Sequence, residues 1–130
     1  LSRALVKNGT AFPMVGALPF TVEHTDRPQG HGYTEAVVDG ENPFLPEGTR
    51  LLGHEFHYSR IIEGDGLDGC RTVMRLDRGC GIAGGRDGVA VGNVVATYSH
   101  LHASGAPDWA PGLVNSANRL NASRHAGGMQ

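Results

Sequence analysis

Two short segments of this 130-residue chain concentrate the side chains able to do acid–base or metal chemistry: "LLGHEFHYSR" at 51–60 and "ATYSHLHAS" at 96–104. His100 and His102 are two apart, so on a strand both imidazoles share a face with Tyr98. That spacing suits a metal-ligand pair, or a catalytic base beside a pocket-lining neighbour. His54 and His57 are three apart and fall on opposite faces of a strand, His57 with Glu55 and His54 with Phe56. "HEFH" is one residue short of the helical zinc-protease motif, and the segment does not read as a helix. Three readings stay open: a metal site from Glu55, His57, His100 and His102, a catalytic or substrate-binding site, and histidines that simply pack. Titratable groups gathered at strand ends favour a functional site.

The elements that must position these groups are short. Residues 2 to 7 read as the end of a helix, with Asn8-Gly9 as its C-terminal cap. "FPMVGALPF" reads as a buried extended run, "TDRPQGHG" as a loop and "YTEAVVDG" as an alternating strand. After the turn-rich "NPFLPEGT", "RLLGHEFHYSRII" predicts a long strand broken or bulged near Gly53. "CRTVMRLD" is a further strand, and "VAVGNVVATYSHLH" two strands about a Gly92-Asn93 turn. A helix over 108–125 starts at Asp108 as N-cap, with Pro111 in its first turn and Trp109, Leu113, Ala117 and Leu120 at helical spacing. The tail "AGGMQ" is expected to fray.

Composition removes several function classes. A net charge of −2 provides no basic stripe, so a nucleic-acid partner is not expected. No apolar run is long enough to cross a bilayer, and no signal-peptide pattern occurs; the expected location is the cytoplasm. Twenty glycines and seven prolines sit at separate turns, which points to many short strands in one domain. Cys70 and Cys80 read as reduced, structural thiols, since a reactive one needs a cationic or helix-terminal setting. "GCGIAGGRDG" superficially matches a dinucleotide fingerprint but lacks the preceding strand, following helix and later acidic residue that give that motif its mechanism. It reads as a glycine loop anchored by Arg86-Asp87. No Gly-Lys-Ser/Thr is present, so the chain has no P-loop.

Taken together, "RPQGHGYTEAVVDGENPFLPEGTRLLGHEFHYSRI" and "RGCGIAGGRDGVAVGNVVATYSHLH" resemble the glutamine amidotransferase domain of the cobyrinate a,c-diamide synthase family, from about Met14 to His102. "GHEFHYSR", "GRDG" and "YSHLH" are specific in combination. "HASGAPDWAPGLV" resembles the branch linked to dissimilatory sulfite reductase, which acts on a sirohaem carboxylate. The resemblance implies an α/β fold: part of a flavodoxin-like class I glutaminase, with a mixed central sheet, flanking helices and its N-terminal part missing. It implies a single domain over 1–130, with the family core at about 14–102. It further implies that glutamine is hydrolysed here and its ammonia delivered to a separate synthetase domain. That domain uses ATP and magnesium to activate a tetrapyrrole carboxylate, and this chain itself binds neither cofactor.

By position, the family's catalytic histidine is His100, the base that forms the thiolate and then protonates departing ammonia. Many class I glutaminases place a glutamate two residues later; His102 stands there, so what orients His100 is open. "LLGHEFHYSR" is implied to line the glutamine pocket, with Glu55 accepting from the ammonium and His57 or Tyr58 donating to the carboxylate. The family's cysteine nucleophile would precede Leu1, and neither Cys70 nor Cys80 matches it. The chain alone is therefore expected to be inactive and, with a sheet edge and an apolar face bare, to self-associate. A non-catalytic binding or assembly module, and a histidine-based metal enzyme, are the alternatives.

Overall fold

The computed structural model describes residues 1–62 and 66–127. Among these residues, ten strands and one long helix follow in order: β1 (Ala4–Lys7), β2 (Thr10–Pro13), β3 (Thr21–His24), β4 (Gly30–Val38), β5 (Arg50–His57), β6 (Ser59–Ile61), β7 (Arg71–Arg78), β8 (Arg86–Val91), β9 (Val94–Ala96), β10 (His100–Leu101) and α1 (Trp109–Gly127). They form a four-stranded sheet, β2-β1-β3-β6, and a six-stranded sheet, β10-β5-β4-β7-β8-β9. The smaller sheet is mixed, because β1 and β3 run parallel while its other pairs are antiparallel. The class is α/β, as expected, and is consistent with part of a class I glutaminase.

The opening segment departs from expectation. Residues 4–7 form a strand, not the end of a helix, and pair with β2 in a hairpin that matches Lys7 with Thr10 and Leu5 with Phe12. Asn8-Gly9 is its turn. Both residues have positive φ, 51° and 75°, as a two-residue type I′ turn requires. "FPMVGALPF" is only partly buried: Leu18 and Phe20 are inside, but Phe12 on the edge strand β2 and Met14 and Val15 beyond its end are exposed. β4 begins at Gly30, inside the segment read as a loop, since Gly30 and His31 pair with His57 and Phe56.

β5 passes unbroken through Gly53 and stops after His57, so the long strand divides at Tyr58. Gly53 serves a different purpose. A Cβ there would stand 2.6 Å from the His100 carbonyl oxygen, so its absence lets β10 approach β5. The Gly92-Asn93 turn joins β8 to β9 as expected, with positive φ at Gly92 alone, the type II′ pattern.

One apolar core gathers Ala36, Val38, Leu51, Met74 and Ala90 of the six-stranded sheet with Leu45 and Ala106 of the connections. A second joins Leu18 and Phe20 to Val89 and to partly buried Val22, Ile61 and Ile82. Helix α1 starts where Asp108 predicts, the Gly112 N–H donating to the Asp108 carbonyl at 2.9 Å. It docks by a face without large apolar groups. Gly112 lies against the Phe44 carbonyl where no Cβ fits, Ser116 is buried, and the Arg119 guanidinium donates to Pro43 O at 2.9 Å. Trp109, Leu113 and Leu120 remain exposed. The helix continues to Gly127, and residues 128–130 of the tail expected to fray lie outside the described residues.

Candidate active site

Strand alternation divides the side chains of "LLGHEFHYSR" into two sets with different surroundings. Leu51, Glu55 and His57 point into the molecule and are buried, while Leu52, His54 and Phe56 point to the open face. β10 pairs antiparallel with β5 and sets His100 directly opposite His54. His100 is exposed, and its Nδ1 lies 3.2 Å from His54 Nε2. The two rings meet edge to face at 81°, with centroids 4.8 Å apart. No partner for His100 Nε2 is found among the described residues, so that nitrogen can reach an incoming group.

The open face carries further rings beside this pair. His31 and Phe56 meet edge to face at 5.4 Å, Phe56 and Tyr58 do the same, and Arg78 lies over the Tyr33 ring. An open hollow of about 610 Å³ is lined by His31, Tyr33, His54 and Phe56. It is large enough for an amino acid.

The buried set builds a polar strut. The Glu55 carboxylate accepts from the Cys80 N–H at 2.6 Å and the Gly81 N–H at 3.0 Å, and lies 3.5 Å from His57 Nε2. Burial alone would raise this carboxyl's pKa. The two backbone donors and His57 outweigh burial and hold it below the usual carboxylate value. His57 Nδ1 bonds the Ser59 carbonyl at 2.9 Å, and its ring stacks on Tyr98 at 3.7 Å. Tyr98 OH in turn meets Ser59 Oγ at 2.9 Å, and burial raises its pKa. Gly30 leaves room for the strut, since a Cβ there would overlap both Glu55 and His57.

A second buried carboxylate sets the approach to His100. Asp87 is fully buried and accepts from the N–H groups of Gly88 at 2.9 Å, Tyr98 at 3.1 Å and Ser99 at 2.9 Å. It therefore ties the end of the glycine loop to the backbone just before His100. Its neighbour Arg86 anchors that loop as expected, but by its backbone, accepting from the Ile82 N–H at 2.8 Å and donating to the Ala83 carbonyl at 2.9 Å. Its guanidinium forks onto Asp39 and also donates to the Thr72 carbonyl at 2.9 Å.

The structure thus places the sequence-derived residues in separate surroundings. Glu55 and His57 are together, but beneath the sheet and away from the face that carries His100. Tyr58 sits at the strand break, next to Phe56 and stacked on His24. His102 lies beyond the end of β10, so alternation does not carry to it, and its Nδ1 is 2.7 Å from Ser104 Oγ. Tyr98, expected beside the histidine pair, is with His57 instead. The set Glu55, His57, His100 and His102 is divided between two faces, and no three His, Cys, Asp or Glu side chains converge as a metal site among the described residues. Both cysteines are free. Burial pushes the Cys70 thiol pKa up, and burial with the Glu55 charge does the same to Cys80, so neither has the setting of an activated nucleophile. Reading the sequence missed the contact of His54 with His100 and the hold of Asp87 on the backbone just before His100. Gly53, which marks where another backbone comes close, is the signal that could have found the first.

A profile of the CobB/CobQ-like glutamine amidotransferase domain matches residues 1–107, most of the chain. The chain belongs to this family. Its matched residues include both histidine segments and both buried carboxylates. Among curated relatives, a cobyrinate a,c-diamide synthase of Magnetococcus marinus is 38% identical over 114 residues, covering 87% of this chain and 24% of the relative. Those of Methanosphaera stadtmanae and Methanothermobacter thermautotrophicus are 38% and 36% identical, covering 87% and 80% of the chain and 25% and 23% of their own lengths. The chain therefore spans about a quarter of the curated relatives it matches. No solved structure matches.

Proposed function

We propose that this chain forms the imidazole half of a glutaminase that feeds ammonia to a tetrapyrrole amidation. The observation carrying this reading is the His100 ring, exposed on a short edge strand with one nitrogen engaged by His54 and the other open. The thiol comes from outside these 130 residues, since the two cysteines within them have raised pKa values. His100 Nε2 takes the thiol proton, and the thiolate attacks the glutamine carboxamide carbon. The tetrahedral intermediate collapses as the imidazolium returns that proton to nitrogen and ammonia leaves. His100 then removes a proton from water, which attacks the thioester and releases glutamate and the thiol.

Tyr58, beside Phe56, and the exposed His102 are the groups proposed to contact glutamine. Glu55 and His57 act from beneath by holding the 79–81 loop and Tyr98. ATP and magnesium belong to a synthetase domain outside these residues, where a tetrapyrrole carboxylate is activated to receive the ammonia. The support is the name shared by relatives about four times as long as this chain.

The test is glutamine hydrolysis by the polypeptide that carries this chain together with its nucleophile. His100→Ala is expected to abolish glutamate release while leaving circular dichroism unchanged. A folded His100→Ala protein with full activity would refute the base, and absence of any glutaminase activity would favour an assembly module.

A further inference from the structure

The base in this site has no carboxylate two residues downstream, and His102 in that position is engaged by Ser104. We propose that His54 is the positioning residue for His100, a neutral imidazole standing where other sites of this kind use an acid. This rests on the reading of His100 as the base. The contact is fixed by backbone, not by chance meeting of two flexible side chains. His54 and His100 are a directly opposed antiparallel pair, and Leu101 pairs with Gly53. The missing Cβ of Gly53 lets β10 lie close enough for the rings to touch. On the other side of β5, His54 is opposite Tyr33 of β4.

The chemistry gives the contact a direction. For His100 to act as a base at Nε2, its proton must reside on Nδ1. The Nδ1–H then donates to His54 Nε2, and His54 keeps its own proton on Nδ1. The opposite arrangement, with His54 donating, would place the His100 proton on Nε2 and leave no base facing the thiol. When His100 takes up a second proton, the same Nδ1–H bond becomes charge-assisted and stronger. With its own proton on Nδ1, His54 accepts from the working tautomer of His100 and steadies the imidazolium, without a carboxylate's full charge.

The experiment compares His54→Ala, His54→Gln and His100→Ala in the complete polypeptide, with glutamine kinetics and the ¹⁵N shifts of the His100 ring. Loss of one hydrogen bond to a charged group corresponds to about a 10- to 100-fold fall in kcat, with KM changed less than about twofold. His54→Gln, whose carbonyl is a neutral acceptor, is expected to recover part of that loss. The His100 ring is expected to carry its proton on Nδ1 in the parent and to shift toward Nε2–H in His54→Ala. If His54→Ala leaves kcat and tautomer unchanged while His100→Ala abolishes turnover, the positioning role is refuted and the base stands. A raised KM at unchanged kcat would make His54 a substrate contact and would also refute it. An active His100→Ala protein overturns the base, and the role of His54 with it.

Discussion

Replacing Glu55 by Gln tests whether a buried carboxylate holds the glycine loop in place. In the parent, one oxygen accepts from Cys80 N–H at 2.6 Å and the other from Gly81 N–H at 3.0 Å, with the side chain almost wholly buried. Gln keeps one acceptor and turns an NH₂ toward the other donor. One charge-assisted bond, about 1.5–3 kcal/mol, is lost and one N–H is left unpaired, a further penalty of about 1–3 kcal/mol. Gln also escapes the desolvation of a buried charge, which pulls the net change toward the low end, about 2 kcal/mol. At about 1.4 kcal/mol per tenfold, that is roughly a 30-fold loss of amide protection. Hydrogen exchange at Cys80 and Gly81 reads it directly, with the exposed Glu47→Gln as control. Unchanged protection at those two amides would refute the strut. So would an equal loss across every strand, which would mean general destabilisation.

Acid should mimic that substitution. The Glu55 pKa is lowered in the folded protein, so its contribution is fully present above the unfolded carboxylate value, about 4.3, and is lost as pH falls through the lower folded value. Protection factors at Cys80 and Gly81 measured down that range check the sign. Asp87→Asn leaves one of three N–H groups facing an NH₂, and is expected to destabilise by about 2–4 kcal/mol in urea titration and to lower glutaminase turnover through His100. Gly53→Ala drives a Cβ toward the His100 carbonyl, so turnover should fall well before the thermal midpoint does. The chain alone, with Tyr33, Leu52 and Phe56 exposed on one face, is expected to self-associate in light scattering, and Phe56→Ser to reduce this.

Some of this was legible from residue order. Period-two alternation separated Glu55 and His57 from His54 and Phe56, and the Gly92-Asn93 turn and the Asp108 helix start followed from local backbone chemistry. Local chemistry was ambiguous at Asn8-Gly9. Positive φ serves a helix cap and a type I′ hairpin alike, and only the pairing with β2 decides between them. The apolar spacing of α1 predicted a helix but not its docking, because contact is made where Gly112 and Ser116 admit the 42–46 connection. Which face of β5 would be open depends on what packs beneath it, and that is a tertiary fact. For the same reason His100 found His54 across the strands, a neighbour that chain separation conceals.

β5 has a consequence for how this segment can vary. Its two faces are interleaved, scaffold on odd numbers and ring-bearing surface on even ones, so inserting or deleting a single residue between 50 and 57 would exchange them wholesale. The carboxylate would be thrust into water and Phe56 under the sheet. Changes of length here should survive only in steps of two, a parity rule imposed by the pleat on any descendant of this chain.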